Sequence, residues 1–423
     1  MINTIAIVVL SAMLLDWTLG VVADLLNLRR VEPELPTAFK GWYDPAKYEQ
    51  SQRYLIVTTR FRWIAATAGL AAVLAFWWGG GFGWLDSEVR RMHDSVIIRG
   101  LLFIGFLAGL KMLLNMPFGI YATFAIEQRF GFNQTTWRTF ALDRIKGLIL
   151  SALIGGPLLA LILTFLEYAG AYAFLYCWLA TVAVMLAIHY IAPSWILPLF
   201  NRFRPLPPGE LREAIFAYAR RIGFALNNIY VMDGSRRSTK SNAFFTGFGN
   251  HRRIVLFDTL IERHSVDELV AVLAHEMGHY RHKHILKMMA IAAVQAGLMF
   301  LIMAFLLNRP ELYAAFKVRQ ASVYAGVVFF SLFYTPFSGI LNLFVLAVSR
   351  CHEYAADRFA LQTAPEGKAL VTALKKMSVH HLSNLRPHPL FVLLHYSHPP
   401  VLQRIKAIDK NSTENGPAQT LVE

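Results

Sequence analysis

Val270-Ala271-Val272-Leu273-Ala274-His275-Glu276-Met277-Gly278-His279 is the stretch that decides the reading. Five apolar residues run straight into an H-E-x-x-H pentapeptide. Along a helix, His275 and His279 stand one turn apart on one face, so both imidazoles can reach a single metal ion. Glu276 lies beside them, placed to take a proton from an attacking water. A lone buried histidine is more often a satisfied core residue. Two at this spacing around a glutamate, on an apolar helix, point instead to zinc, one ion per chain. The pentapeptide fixes only three residue types and recurs by chance, so its surroundings must carry the rest.

Working outward, Asp267 opens this helix, which is expected to run on into the next apolar segment. His282 falls near the same face as the two histidines, but Arg281 and Lys283 beside it suggest a solvated turn. His284 is expected to face elsewhere. Upstream, Pro205, Pro207, Pro208 and Gly209 read as a hinge, followed by an amphipathic helix near 210–222. A strand over Asn228–Met232, a polar turn from Asp233 to Ser241, and strand-like runs at 242–248 and 253–257 complete the block. A catalytic zinc needs a third protein ligand and an open position. Downstream stands Ser349-Arg350-Cys351-His352-Glu353-Tyr354-Ala355-Ala356-Asp357, with Glu353 and Asp357 at i and i+4 of a helix. One carboxylate can bind the metal while the other orients a ligand histidine. The same spacing also fits the acidic face of a surface helix.

The 423 residues are 56% hydrophobic and only 16% charged, against roughly 25% charged in soluble domains. Mean hydropathy is +0.42. Disorder is excluded by so apolar a chain. A disulfide scaffold and a thiolate metal site are excluded by having only Cys177 and Cys351. The +14 net charge suits nucleic acid or the cytoplasmic loops of a membrane protein, and hydropathy selects the membrane. A span needs about 20 apolar residues, and about seven candidates occur. They lie near 4–22, 64–85, 100–126, 147–166, 171–199, 288–307 and 323–348. The first has no basic n-region or cleavage site and reads as an anchor.

Lys and Arg crowd the segment between the first two spans, the stretch 201–287, and the chain after Arg350. That bias places the N-terminus outside and the C-terminus in the cytoplasm. Asp16, Lys111, Asn115 and Asn342 sit inside spans, where polar groups face a water-filled cavity or pair with one another. The organisation expected is helices one to five in 1–200, a metallopeptidase part in 201–287, helices six and seven in 288–349, and the rest of the metallopeptidase domain in 350–423. Lys410–Glu423 reads as a polar tail. The fold class is therefore an all-α polytopic membrane protein with a cytoplasmic α+β metallopeptidase domain.

H-E-x-x-H, seven spans and S-R-x-x-E-x-x-A-D together resemble the integral-membrane zinc endopeptidases of the type I CAAX prenyl protease family. Tyr48–Tyr54 resembles that family's loop after the first span, and Phe130–Thr136 its motif after the third. Asp233–Ser235 through Ser241–Phe244 resembles the stretch ahead of its metal helix. Ser397-His398-Pro399-Pro400, with Arg404 beyond, resembles its C-terminal motif. The resemblance spans nearly the whole chain. It implies seven helices enclosing a large water-filled chamber, with zinc held by His275, His279 and Glu353. Glu276 would be general base and acid, and Asp357 would fix a ligand histidine. His398 and Arg404 would face the oxyanion, and Asn242 and Ala243 would lie on an edge strand that pairs with extended substrate. Lys240 departs from the family pattern, where many members have histidine. His282 and His352 are extra histidines without an implied role.

The partners expected are the lipid bilayer and a peptide, prenylated or otherwise membrane-associated. Nothing in the chain cradles phosphate, so neither nucleotide nor nucleic acid is expected. One alternative is a bacterial stress protease clearing membrane proteins. A more distant one is a metal transporter, although a pore has no need of a metal helix outside its spans. The final Thr420-Leu421-Val422-Glu423 is no ER-retrieval signal, leaving bacterial inner membrane and ER membrane both open.

Overall fold

A computed structural model describes residues 3–246 and 253–414. Several of its helices begin where a side chain takes up a free N–H of the first turn. Asn3 caps α1 (Thr4–Leu28) by accepting from Ala6 N at 3.1 Å. Asp44 caps α2 (Pro45–Trp78), with proline at the first helical position. After a Gly79–Gly80 break come α3 (Gly81–Met92) and α4 (Val96–Tyr121), the latter running on in a wider turn to Glu127. Thr136 caps α5 (Trp137–Tyr168); α6 (Ala173–Ile191) and the short α7 (Leu197–Phe200) follow.

The next block holds β1 (Phe203–Pro205), α8 (Glu210–Arg221), β2 (Asn228–Met232), β3 (Ala243–Thr246) and β4 (Arg253–Phe257). Then come α9 (Asp258–Ile261), α10 (Val266–Arg281), α11 (His284–Leu307) and α12 (Pro310–Ala315). The 41-residue α13 (Val323–Thr363), α14 (Ala369–His380), α15 (Pro389–His395) and α16 (Val401–Glu414) complete the described chain. The expected run 242–248 lies partly outside the described residues, as does the end of the expected tail; Lys410–Glu414 belongs to α16.

Among the described residues, seven helical stretches are long and apolar enough to cross a membrane, and they carry the seven expected spans. Consecutive members of the cycle α1–α2–α4–α5–α6–α11–α13–α1 pack on one another, and α13 also packs across it on α4 and α5. The ring is not filled. Lys111, Met112, Leu113, Leu114 and Asn115 are all exposed, and five successive residues cover more than a full helical turn. One side of α4 therefore faces lipid and the other an open interior. A cavity of about 690 Å³ is lined by Asp16, Asp24, Arg62, Thr335 and Asn342 among apolar side chains, which gives Asp16 and Asn342 the open polar surroundings such groups need.

The ends of the ring differ. At one end α3 and α12 close over it: Trp77 donates to the Ala315 carbonyl at 2.8 Å, and the Tyr324 hydroxyl to Asp86 at 2.6 Å. The amphipathic α3 begins inside the stretch 64–85 expected to be the second span, because glycine with φ 76° at position 80 turns the chain. At the other end sits the metallopeptidase part. Its four-stranded sheet has the order β1-β2-β4-β3, with β2 and β4 parallel and β3 antiparallel on the outer edge. Ile229, Ile254, Leu256, Leu269, Leu273 and Met277 fill its core.

α10 lies between this sheet, α14 and the C-terminal part of α13. Its start is fixed by a capping box of Ser265 and Glu268, worth about 1 kcal/mol. Two expectations are corrected here. α10 does not run on into the sixth span: it ends at Arg281, and Lys283, at φ 55°, turns the chain into α11. Tyr48–Tyr54 is no loop but the first turns of α2, because Asp44-Pro45 starts the helix well before its apolar part.

Candidate metallopeptidase site

His275 and His279 project from α10 toward Glu353 on α13. Their Nε2 atoms are 3.1 Å apart, and His279 Nε2 is 3.2 Å and His275 Nε2 3.5 Å from the Glu353 carboxylate. One ligand atom from each of the three residues lies within 4.8 Å of the others. The approach of the two helices rests on Gly278, where a Cβ would stand 3.1 Å from the Ala356 Cα.

Behind His275, its Nδ1 is 2.9 Å from Asp357 Oδ1. A proton on Nδ1 donated to that carboxylate turns the Nε2 lone pair toward Glu353. Arg404 then clamps Asp357 from below, with Nε at 2.8 Å and Nη2 at 2.6 Å. Its 3.4 Å approach to His275 Nδ1 is contact only, since that nitrogen is already a donor. Burial disfavours a charged His275, yet Asp357 and Glu353 outweigh it and raise its pKa to about 9. This pocket therefore favours a cation.

The donor set suits a divalent metal with nitrogen and oxygen ligands. Two imidazole nitrogens and a carboxylate converge, and Glu353 Oε2 is buried without a hydrogen-bond partner. That oxygen has only the long approaches of His275 Nε2 at 3.5 Å and Arg404 Nη1 at 3.4 Å, which leaves it able to ligate a metal. Glu276 follows His275 on the same helix, and burial pushes its carboxyl up.

His398 comes from the turn before α16. Its Nε2 is 3.3 Å from Glu353 Oε1, and its Nδ1 meets the Ser397 hydroxyl at 2.9 Å. Its side chain stays 64% exposed, open to an arriving ligand. Arg404 lies behind the two carboxylates. It is buried, two of its donors are spent on Asp357, and Nη1 approaches Glu353 at 3.4 Å, so here it braces the two carboxylates. Asn242 and Ala243 lie at the start of edge strand β3. Phe257 N donates to Asn242 O at 3.0 Å, so the next residue, Ala243, turns its N–H and C=O away from β4. That N–H is met by the Asn242 side chain at 2.9 Å.

Two features escaped the sequence reading. His284 does not face elsewhere: it is buried, with Nδ1 2.9 Å from His279 Nδ1. Lys240 pairs with Glu127 at 3.0 Å and Tyr54 at 3.1 Å and lies over the Phe132 ring. It thereby ties the turn before β3 to α2 and to the end of α4. No spacing rule reveals either contact, since both depend on chain turns far from helical register.

Comparison with known proteins agrees with this geometry. The family model described as CAAX prenyl protease N-terminal, five membrane helices, matches residues 24–202, and that of peptidase family M48 matches 205–412. A CAAX prenyl protease 1 homolog of Arabidopsis thaliana is 34% identical over 395 residues, covering 91% of this chain and 93% of the relative. CAAX prenyl protease 1 of Saccharomyces cerevisiae is 32% identical, covering 89% of each. The crystal structure of S. mikatae Ste24p superposes with a TM-score of 0.90 at 29% identity, covering 97% of this chain and all of that one. Sequence, fold and site thus converge: the chain belongs to peptidase family M48, among the CAAX prenyl protease 1 proteins, and is a multi-pass membrane metalloendopeptidase.

Proposed function

We propose that the chain holds one zinc ion through His275, His279 and Glu353 and cleaves near the C-terminus of prenylated peptides, as the names of its relatives suggest. The observation that carries the zinc assignment is the convergence of both Nε2 atoms on Glu353, whose Oε2 has no hydrogen-bond partner. Bound there, zinc would polarise the peptide carbonyl and lower the pKa of water to about 7.

The chain's own residues do the rest. Glu276 accepts the proton of the attacking water and returns it to the leaving amine, a role favoured by its raised pKa. Asp357 holds His275 in the tautomer that presents Nε2, and Arg404 holds Asp357. His398, exposed beside Glu353, donates to the oxyanion as the carbonyl becomes tetrahedral. The substrate backbone adds to the free edge of β3 at Ala243, displacing the Asn242 side chain from its N–H. The ring's interior would offer room for an apolar tail. The excess of Lys and Arg at the site end supports a cytoplasmic site and C-terminus, with the N-terminus outside.

A farnesylated CAAX peptide and its unprenylated twin, offered to purified protein with and without chelator, test the reading. Chelator-sensitive cleavage of the farnesylated peptide is expected. Zinc-bearing, folded protein that leaves it intact would rule out prenyl-peptide processing.

A further inference from the structure

We infer that His284 is a positioning residue for His279, accepting the proton on its Nδ1 as Asp357 accepts that of His275. The inference rests on the reading of His279 as a metal ligand. His279 Nε2 is turned into the site, 3.1 Å from His275 Nε2 and 3.2 Å from Glu353. Its Nδ1 must then carry the proton, and the group facing it is His284 Nδ1 at 2.9 Å. Two facing nitrogens need one donor and one acceptor, so His284 Nδ1 accepts.

The backbone is built for this contact. α10 stops after Arg281, and Lys283 adopts φ 55°, ψ 35°, a conformation that a side-chain-bearing residue rarely takes. That turn brings His284, the first residue of α11, back beneath His279. Left-handed strain in a non-glycine residue collects where geometry serves a site. His352, the residue before Glu353, stacks on the His284 ring at 3.9 Å with 9° between planes. One ligand histidine is thus oriented by a carboxylate and the other by an imidazole, itself braced from the ligand-bearing α13.

His284 is buried at the start of a membrane-crossing helix. If it served packing alone, an apolar replacement would do best. As an acceptor it demands the opposite order. Asparagine places an oxygen where the histidine Nδ1 stands, aspartate adds charge to it, and leucine removes it. Metal affinity of folded full-length protein, measured by zinc competition with a chromophoric chelator at fixed pH, should rank His284→Asp and His284→Asn at or near wild type. His284→Leu should fall 10- to 100-fold below. Should the leucine variant fail to fold, His284→Gln supplies the contrast, because its longer side chain misplaces the oxygen and lowers affinity relative to asparagine. Leucine equal to or better than asparagine, or glutamine equal to it, would overturn the inference. His279→Ala separates the two levels. If that variant keeps wild-type affinity, the ligand assignment itself fails; if it loses zinc while the His284 series is flat, only the positioning role fails.

Discussion

Gly278 of α10 lies against Ala356 of α13 so closely that a Cβ on the glycine would stand 3.1 Å from the Ala356 Cα and 3.3 Å from its carbonyl oxygen. This contact sets the distance between the helix that carries His275 and His279 and the helix that carries Glu353. Backbone atoms on the far side cannot rotate away. Gly278→Ala should therefore weaken zinc binding slightly, and Gly278→Val should lower it at least tenfold with a loss of about 1–3 kcal/mol in stability from overpacking. Zinc content and thermal unfolding in detergent, measured together, check the order glycine, alanine, valine.

Asp357 is held by His275 on one side and by both forks of Arg404 on the other. Asp357→Asn leaves the buried Arg404 charge with only its longer contact to Glu353 and removes the anion that fixes His275. Zinc affinity should drop 10- to 100-fold. Arg404→Met is expected to be milder in zinc affinity, since Asp357 keeps its histidine. Chelator competition on the two variants distinguishes them.

The Ala243 N–H faces the open edge of β3, outside the ladder to β4. Proline is tolerated on a strand edge when its missing N–H would have faced outward. Ala243→Pro should thus leave zinc content unchanged and raise KM at least several-fold by deleting one backbone bond to substrate. Unchanged KM would show that substrate does not add to this edge.

The turn before β3 is also held by His381, whose Nε2 accepts from Ser241 N at 3.0 Å. Burial lowers the His381 pKa to about 4, whereas the unfolded chain binds this proton near 6.5. Between those values the unfolded state carries more protons, so stability rises with pH. The contribution is complete above about 6.5 and lost as pH falls toward about 4. Melting temperature should fall across this window, and His381→Gln, which keeps an acceptor without a titrating group, should flatten the slope.

Much of the site was legible because helical periodicity is short-range. His275 and His279, and likewise Glu353 and Asp357, are each one helical turn apart, and both stretches are helical as read, although α10 stops at Arg281. The seven spans were legible for a similar reason, as apolar runs of sufficient length. What could not be read depends on places where the chain leaves its register. The Lys283 turn recruits His284, and the Gly80 turn makes α3 a separate helix that closes one end of the ring with α12. Arg404 has the right sequence motif around it but a buried position, which follows from how α16 packs on α13 and not from its spacing to His398.

The central claim is that a metal held by His275, His279 and Glu353 works with Glu276 to break peptide bonds. Zinc content and hydrolysis measured on the same preparations of wild type and Glu276→Gln test it most directly. About one zinc per chain in both proteins, with cleavage in the wild type alone, is the result expected. Cleavage that survives in Glu276→Gln, or wild-type cleavage by protein free of metal, would contradict it.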